Sequence, residues 1–97
     1  MTNITTSDMY CTQCGQKNIP IPRRKGKERE GGHLKKMYCI HCQKTTNMVE
    51  IRGFSSNYTL DDFLLEYEYN NFNEDGTRKL SWSEFRTHLN NGGGVLV

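Results

Sequence analysis

Apolar positions in this chain come in short runs, and their spacing changes midway. Tyr10 and Tyr38 each stand directly before a cysteine in strand-like surroundings, and His33 to Ile40 reads as a strand. Thr45-Thr46-Asn47-Met48-Val49-Glu50-Ile51 has the β-branched composition of a third. Gly53 to Asn57 breaks that pattern, and the period then lengthens. Leu60, Phe63, Leu64 and Tyr67 recur at three- and four-residue spacing, predicting a helix to about Tyr69 whose apolar stripe packs on the strands. Thr59 is placed to cap it, with Asp61 and Asp62 at the positive end of its dipole. Asn70 to Lys79 reads as a loop turning at Asp75-Gly76, and Ser81-Trp82-Ser83-Glu84 is a capping box opening a second helix to about Leu89. Asn90 to Gly94 stops it, and the sequence leaves Val95-Leu96-Val97 open between a loose end and a short edge strand.

With 97 residues and 34% hydrophobic content, the chain is one domain, or a small domain with an appendage, and has little core to share. A staple is therefore expected, and the cysteines supply one. Cys11-Thr12-Gln13-Cys14 and Cys39-Ile40-His41-Cys42 are two CxxC pairs with 24 residues between them. Each pair puts two thiolates on a tight turn, and the spacing lets the turns face each other across one tetrahedral Zn²⁺ ion. Gly15 follows the first pair where such a turn needs a positive φ. Two disulfides or reactive redox pairs are the alternatives, but no thioredoxin-type βαβ pattern surrounds either pair. His41 lies inside the second pair, and His33 and His88 are the other imidazoles; no paired-histidine nuclease pattern, Walker loop or nucleophile elbow occurs, so the chain reads as no enzyme.

The net charge of +2 conceals a division. From Met1 to Arg52 ten Lys/Arg face four Asp/Glu, whereas from Gly53 to Val97 three face seven. The expected organisation is a zinc-ribbon region over 1–52, with a basic inter-knuckle loop over 20–36, then an acidic helical region over 53–97 ending in a flexible tail over 90–97. Arg23, Arg24, Lys25, Lys27, Arg29, Lys35 and Lys36 are the candidate contacts to phosphates or to an acidic protein surface, with Glu28 and Glu30 interrupting them. Asp61, Asp62, Glu66 and Glu68, with Tyr69, are the candidate acidic and aromatic contacts to a partner. Asn71 to Phe85 invites comparison with a Ca²⁺ loop, but Trp82 stands where the closing Glu belongs and Glu84 arrives two residues late. The polar start, Met1 to Asp8, has no cationic and apolar signal pattern, and no stretch approaches the roughly 20 apolar residues of a membrane span. The expected setting is a cytoplasm that keeps thiols reduced, with no membrane partner.

Tyr10-Cys-x-x-Cys-Gly-x-Lys, Gly32-His-Leu-Lys-Lys-Met-Tyr-Cys-x-x-Cys, and then Thr46-Asn47 with Glu50-Ile51 resemble the small zinc-ribbon proteins carried by phages and prophages of Gram-positive bacteria. Inhibitors of host defence occur among these, including zinc-binding anti-CRISPR proteins directed at Cas9. The resemblance carries over the ligands Cys11, Cys14, Cys39 and Cys42. It implies an α+β fold: a small zinc ribbon of two CxxC knuckles and about three short antiparallel strands, followed by two short helices. It also implies a phage-encoded inhibitor acting in the host cytoplasm on a host protein such as the Cas9 ribonucleoprotein. The alternative is a zinc-ribbon protein of phage transcription or replication that binds nucleic acid through its basic loop.

Overall fold

The computed structural model describes residues 4–24, 32–52 and 58–97. Its elements run β1 (Ile4–Cys11), β2 (Ile21–Arg24), β3 (Leu34–Cys39), β4 (Lys44–Arg52), α1 (Leu60–Glu68) and α2 (Trp82–Asn90). The strands form one curled antiparallel sheet in the order β2-β1-β4-β3, so the class is α+β with four strands.

The strand absent from the sequence reading is β2. Ile21 to Arg24 pair with β1 from Ser7 back to Ile4, so Arg23 and Arg24 belong to the sheet and not to a loop. Pro20 and Pro22 signal extended backbone, and Pro22 is tolerated because β2 is an edge strand, where a missing N–H breaks no second ladder. At the other end of the 20–36 segment, Leu34, Lys35 and Lys36 belong to β3 and pair with β4. Lys25, Lys27 and Arg29 lie outside the described residues.

Strand β4 is central and buries both of its faces. Val49 and Ile51 form one cluster with Tyr58, Phe63 and Phe72, against which Tyr10, Leu34 and Trp82 pack. Met48, with Met9, Cys11 and Cys39, forms a second cluster toward the cysteines. Two buried faces explain why the apolar residues Met48, Val49 and Ile51 show no clean alternation, and why the polar Thr46 and Glu50 are buried beside them. The helical region thus shares a core with the sheet, and Phe63 lies 5.5 Å from the Tyr10 ring.

Helix α1 is rotated from the orientation its spacing predicts. Phe63 is fully buried, but Leu60, Leu64 and Tyr67 are 37%, 43% and 38% exposed. The second inward position is taken by Glu66, which is fully buried and so presents no carboxylate to a partner, contrary to its place among the expected contacts. Its environment explains the choice. Arg78 grips it through Nε at 2.8 Å and Nη2 at 3.0 Å, Asn71 donates from Nδ2 at 2.6 Å, and the Tyr58 hydroxyl donates as well. Arg78 also donates to the Gly32 carbonyl at 2.7 Å, so the ion pair joins α1, the 71–80 segment and the entry to β3. Burial opposes ionisation of Tyr58, and the adjoining carboxylate reinforces this; Arg78 stays protonated despite burial because Glu66 holds it.

Both helices are capped at their starts, α1 through Asp62 and α2 by the predicted box. The Asp62 carboxylate accepts from the Thr59 backbone N–H at 2.8 Å. At α2 the Ser81 hydroxyl accepts from the Glu84 N–H at 3.2 Å, and the Glu84 carboxylate accepts from the Ser81 N–H at 3.0 Å, which holds its pKa below the ordinary value. Past α2 the chain turns back, and Leu96 donates to the Tyr69 carbonyl at 2.8 Å while Asn70 donates to the Leu96 carbonyl at 2.9 Å. Residues 91–97 therefore form no strand, and they are tied to the end of α1 instead of trailing as the expected flexible tail. Among the described residues, no helix is long and apolar enough to cross a membrane.

Candidate metal centre

Cys11 ends β1 and Cys39 ends β3, and each strand runs directly into a turn that carries its second cysteine. The two turns are built alike. The Gly15 N–H donates to the Cys11 carbonyl at 2.8 Å, and the Gln43 N–H donates to the Cys39 carbonyl at 2.8 Å. Both closing residues are left-handed, Gly15 at φ 74° and Gln43 at φ 59°. The glycine announces this conformation in the sequence, whereas a glutamine gives no such signal. Within each turn a backbone N–H reaches back to the first sulfur at 3.3 Å, from Gln13 to Cys11 and from Cys42 to Cys39.

β1 and β3 flank β4, and this pairing brings the two turns together. All four Sγ atoms lie within 4.8 Å of one another, and the group can hold a metal ion. Cys11 to Cys42 is 3.8 Å and Cys14 to Cys39 is 3.7 Å. No pair is bonded, and a disulfide would need about 2.05 Å. A tetrahedron with metal–thiolate bonds of about 2.3 Å has edges of about 3.8 Å, matching both separations.

Neighbouring side chains fix the sulfurs. Thr46 places Oγ1 3.1 Å from the Cys11 Sγ, and Asn18 places Nδ2 3.5 Å from the Cys39 Sγ. The Asn18 Oδ1 also accepts from the Ile40 N–H at 3.0 Å, so this one side chain locks the second turn against the first. Sequence reasoning missed Asn18, because nothing in an Asn-Ile-Pro sequence announces a bond across the site. Burial works against ionisation of Cys39, yet the N–H groups of Cys42 and His41 and the Asn18 amide together lower its pKa to about 6. Burial raises Cys14, and burial together with neighbouring thiols pushes Cys42 up to about 12. Four thiols facing one another resist shared ionisation, and a cation at their centre removes that resistance.

The 71–79 segment clasps the first turn from outside. It is a small hairpin in which Asn73 donates to the Thr77 carbonyl at 2.7 Å and Lys79 to the Asn71 carbonyl at 2.8 Å. At its tip the Glu74 carbonyl accepts from the Gln13 Nε2 at 2.6 Å, and the Asp75 carbonyl accepts from the Asn47 Nδ2 at 2.5 Å. The Asp75 carboxylate caps Thr77, accepting from its hydroxyl at 2.6 Å and its N–H at 3.0 Å, which lowers the Asp75 pKa. That carboxylate therefore closes a turn.

The other expected contact residues are dispersed. Lys35 and Lys36 are exposed on β3 beside Tyr38, which is 58% exposed. Asp61 and Glu68 are exposed on α1, Asp62 is half-buried at its cap, and Tyr69 is half-buried with its ring edge-on to Phe85 at 6.2 Å. Comparison with known families, curated proteins and solved structures finds no match to this chain.

Proposed function

We propose that this protein works by binding and not by catalysis, on a scaffold held by one structural Zn²⁺ ion. Thiolates suit zinc, and a site whose four positions are all filled by cysteine leaves none for substrate or water. The partner in this reading is a host protein machine that handles nucleic acid, of the Cas9 type, which the protein, encoded by a phage, inhibits in the host cytoplasm.

The observation that carries the reading is the outer face of α1. Leu60, Leu64 and Leu65 are all at least 37% exposed there, interleaved with exposed Asp61 and Glu68. The helix contains no basic residue. An apolar ridge edged by carboxylates complements a protein surface that is basic and has hollows for side chains, as a nucleic-acid channel does. It would repel a phosphate backbone.

The test uses the tagged protein with purified Cas9–guide complex, with and without nuclease, alongside a variant carrying Leu64→Lys and Asp61→Lys. Stoichiometric recovery that survives nuclease, blocks target cleavage and is lost in the variant is the expected result. No recovery sinks the reading. A second reading is favoured by the exposed Lys35, Lys36, Tyr38 and Lys44 on the β3–β4 hairpin, which suit nucleic acid. Recovery of nucleic acid alone, lost on digestion, would replace the first reading with this one.

A further inference from the structure

We propose that the cleft between the first cysteine turn and the C-terminal end of α1 receives an arginine side chain of the protein partner. The inference rests on the reading that the acidic half of the molecule meets a basic protein. The cleft has a volume of about 430 Å³ and is lined by Thr12 and Gln13 from the turn, by Tyr67 and Glu68 from α1, and by Asn70 to Glu74 excluding Asn71. That volume falls in the range of small-ligand pockets, roughly 300–1,000 Å³.

Three independent features of the cleft select a cation. Glu68 and Glu74 both line it, no Lys, Arg or His does, and both residues are exposed. Neither carboxylate takes part in an ion pair or side-chain hydrogen bond among the described residues. The helix dipole adds to this, because α1 ends here with its negative pole and has no basic residue in its last turn. Finally, the Tyr67 ring in the lining is 38% exposed, so a flat cation has an aromatic surface to lie against; the Phe72 ring behind it is buried, with the Arg78 guanidinium over it at 5.7 Å.

Arginine fits this chemistry better than lysine. Its planar guanidinium stacks on an aromatic face while its N–H fork reaches carboxylates, and it sheds water more easily than an ammonium. The floor of the cleft is held independently of Glu68 and Glu74 side chains. The Tyr67 hydroxyl approaches the Gln13 carbonyl at 3.4 Å, and it is the backbone carbonyl of Glu74 that accepts from Gln13. Neutralising the two carboxylates therefore leaves the clasp in place.

The experiment titrates the metal-loaded full chain with acetylated, amidated tetra-arginine and tetra-lysine peptides, reading backbone amide shifts by NMR. Shifts centred on Gln13, Tyr67, Glu68, Phe72 and Glu74, with tetra-arginine at least threefold tighter than tetra-lysine, are expected. The E68Q/E74Q variant should keep the wild-type spectrum and lose at least tenfold in affinity. Shifts confined to Asp61 and Asp62, or unchanged affinity in E68Q/E74Q, would overturn the proposal by reducing it to diffuse charge attraction. Peptide binding that needs Glu68 and Glu74, without capture of the Cas9–guide complex, would uphold the cleft and dismiss that partner. Capture undiminished in E68Q/E74Q would do the reverse.

Discussion

Glu66 is the residue whose role the sequence most disguises. In a run of Asp61, Asp62, Glu66 and Glu68 it looks like one more surface carboxylate, but its partners Tyr58, Asn71 and Arg78 converge on it from distant positions. Burial of this pair is a cost that the guanidinium fork, the amide and the phenol offset together. Removing one partner should therefore be worse than removing both. Glu66→Ala strands a buried Arg78 and should cost about 3–5 kcal/mol, whereas Glu66→Leu combined with Arg78→Met should cost clearly less. Urea unfolding of both variants with the metal bound checks this; equal losses would mean that the network carries no special coupling. At the metal, the relevant property is proton release. Raised Cys14 and Cys42 stay protonated near pH 7 without metal, whereas lowered Cys39, at about 6, is already thiolate there. Binding must expel at least the two retained protons, so apparent Zn²⁺ affinity should rise at least about a hundredfold per unit of pH above 6 and more steeply below it. Competition against a chromophoric chelator from pH 5.5 to 8 measures the slope, and a flat profile would rule out thiolate ligation.

Among the elements, the pairs of cysteines, the two later strands and both helices were legible because each has a local signature. CxxC spacing, a β-branched run and a capping box are properties of a few adjacent residues. What was not legible depends on contacts between distant residues. β2 exists because β1 offers it an edge, and the face that α1 turns inward is chosen by Arg78. The 71–79 hairpin is the clearest case, since its Asp75-Gly76 turn was readable but its docking partner was not. Gly76 sits at φ 86°, and a Cβ there would meet the Thr12 Oγ1 at 2.6 Å and the Asn47 Cβ at 2.7 Å. Gly76→Ala should thus both strain the turn and lift the hairpin off the first cysteine turn, at about 1–3 kcal/mol. Because Gly76 touches no sulfur, the informative readout is faster Zn²⁺ loss to excess chelator, with Gly94→Ala, where a Cβ meets nothing within 4 Å, as the neutral control. Equal rates in both variants would show that the clasp does not support the metal site.

For the molecule as a whole, packing ties the cysteine cluster, the sheet and the helices together, although the chain's charge pattern suggests two parts. The sheet is short of apolar mass, and one of its two clusters consists of Met9, Met48 and the cysteines themselves. Without a central cation, that cluster brings together four thiols that repel shared ionisation and pack loosely. The first turn then loses its reason to hold Gln13 against the Glu74 carbonyl, or Gly15 against the Tyr67 ring, whose nearest atom would be 3.2 Å from an added Cβ. Phe63 and Phe72 pack on Val49 and Ile51, so loosening β4 also uncovers the inward face of α1. Two nine-residue helices are too short to persist alone in water. Chelation should therefore abolish helical circular dichroism together with amide protection in β1, β3 and β4, in a single transition reversed by added Zn²⁺. Helical signal surviving the loss of sheet protection would mean that residues 58–97 fold on their own, and the α1 surface would then be available to a partner whether or not the metal was bound.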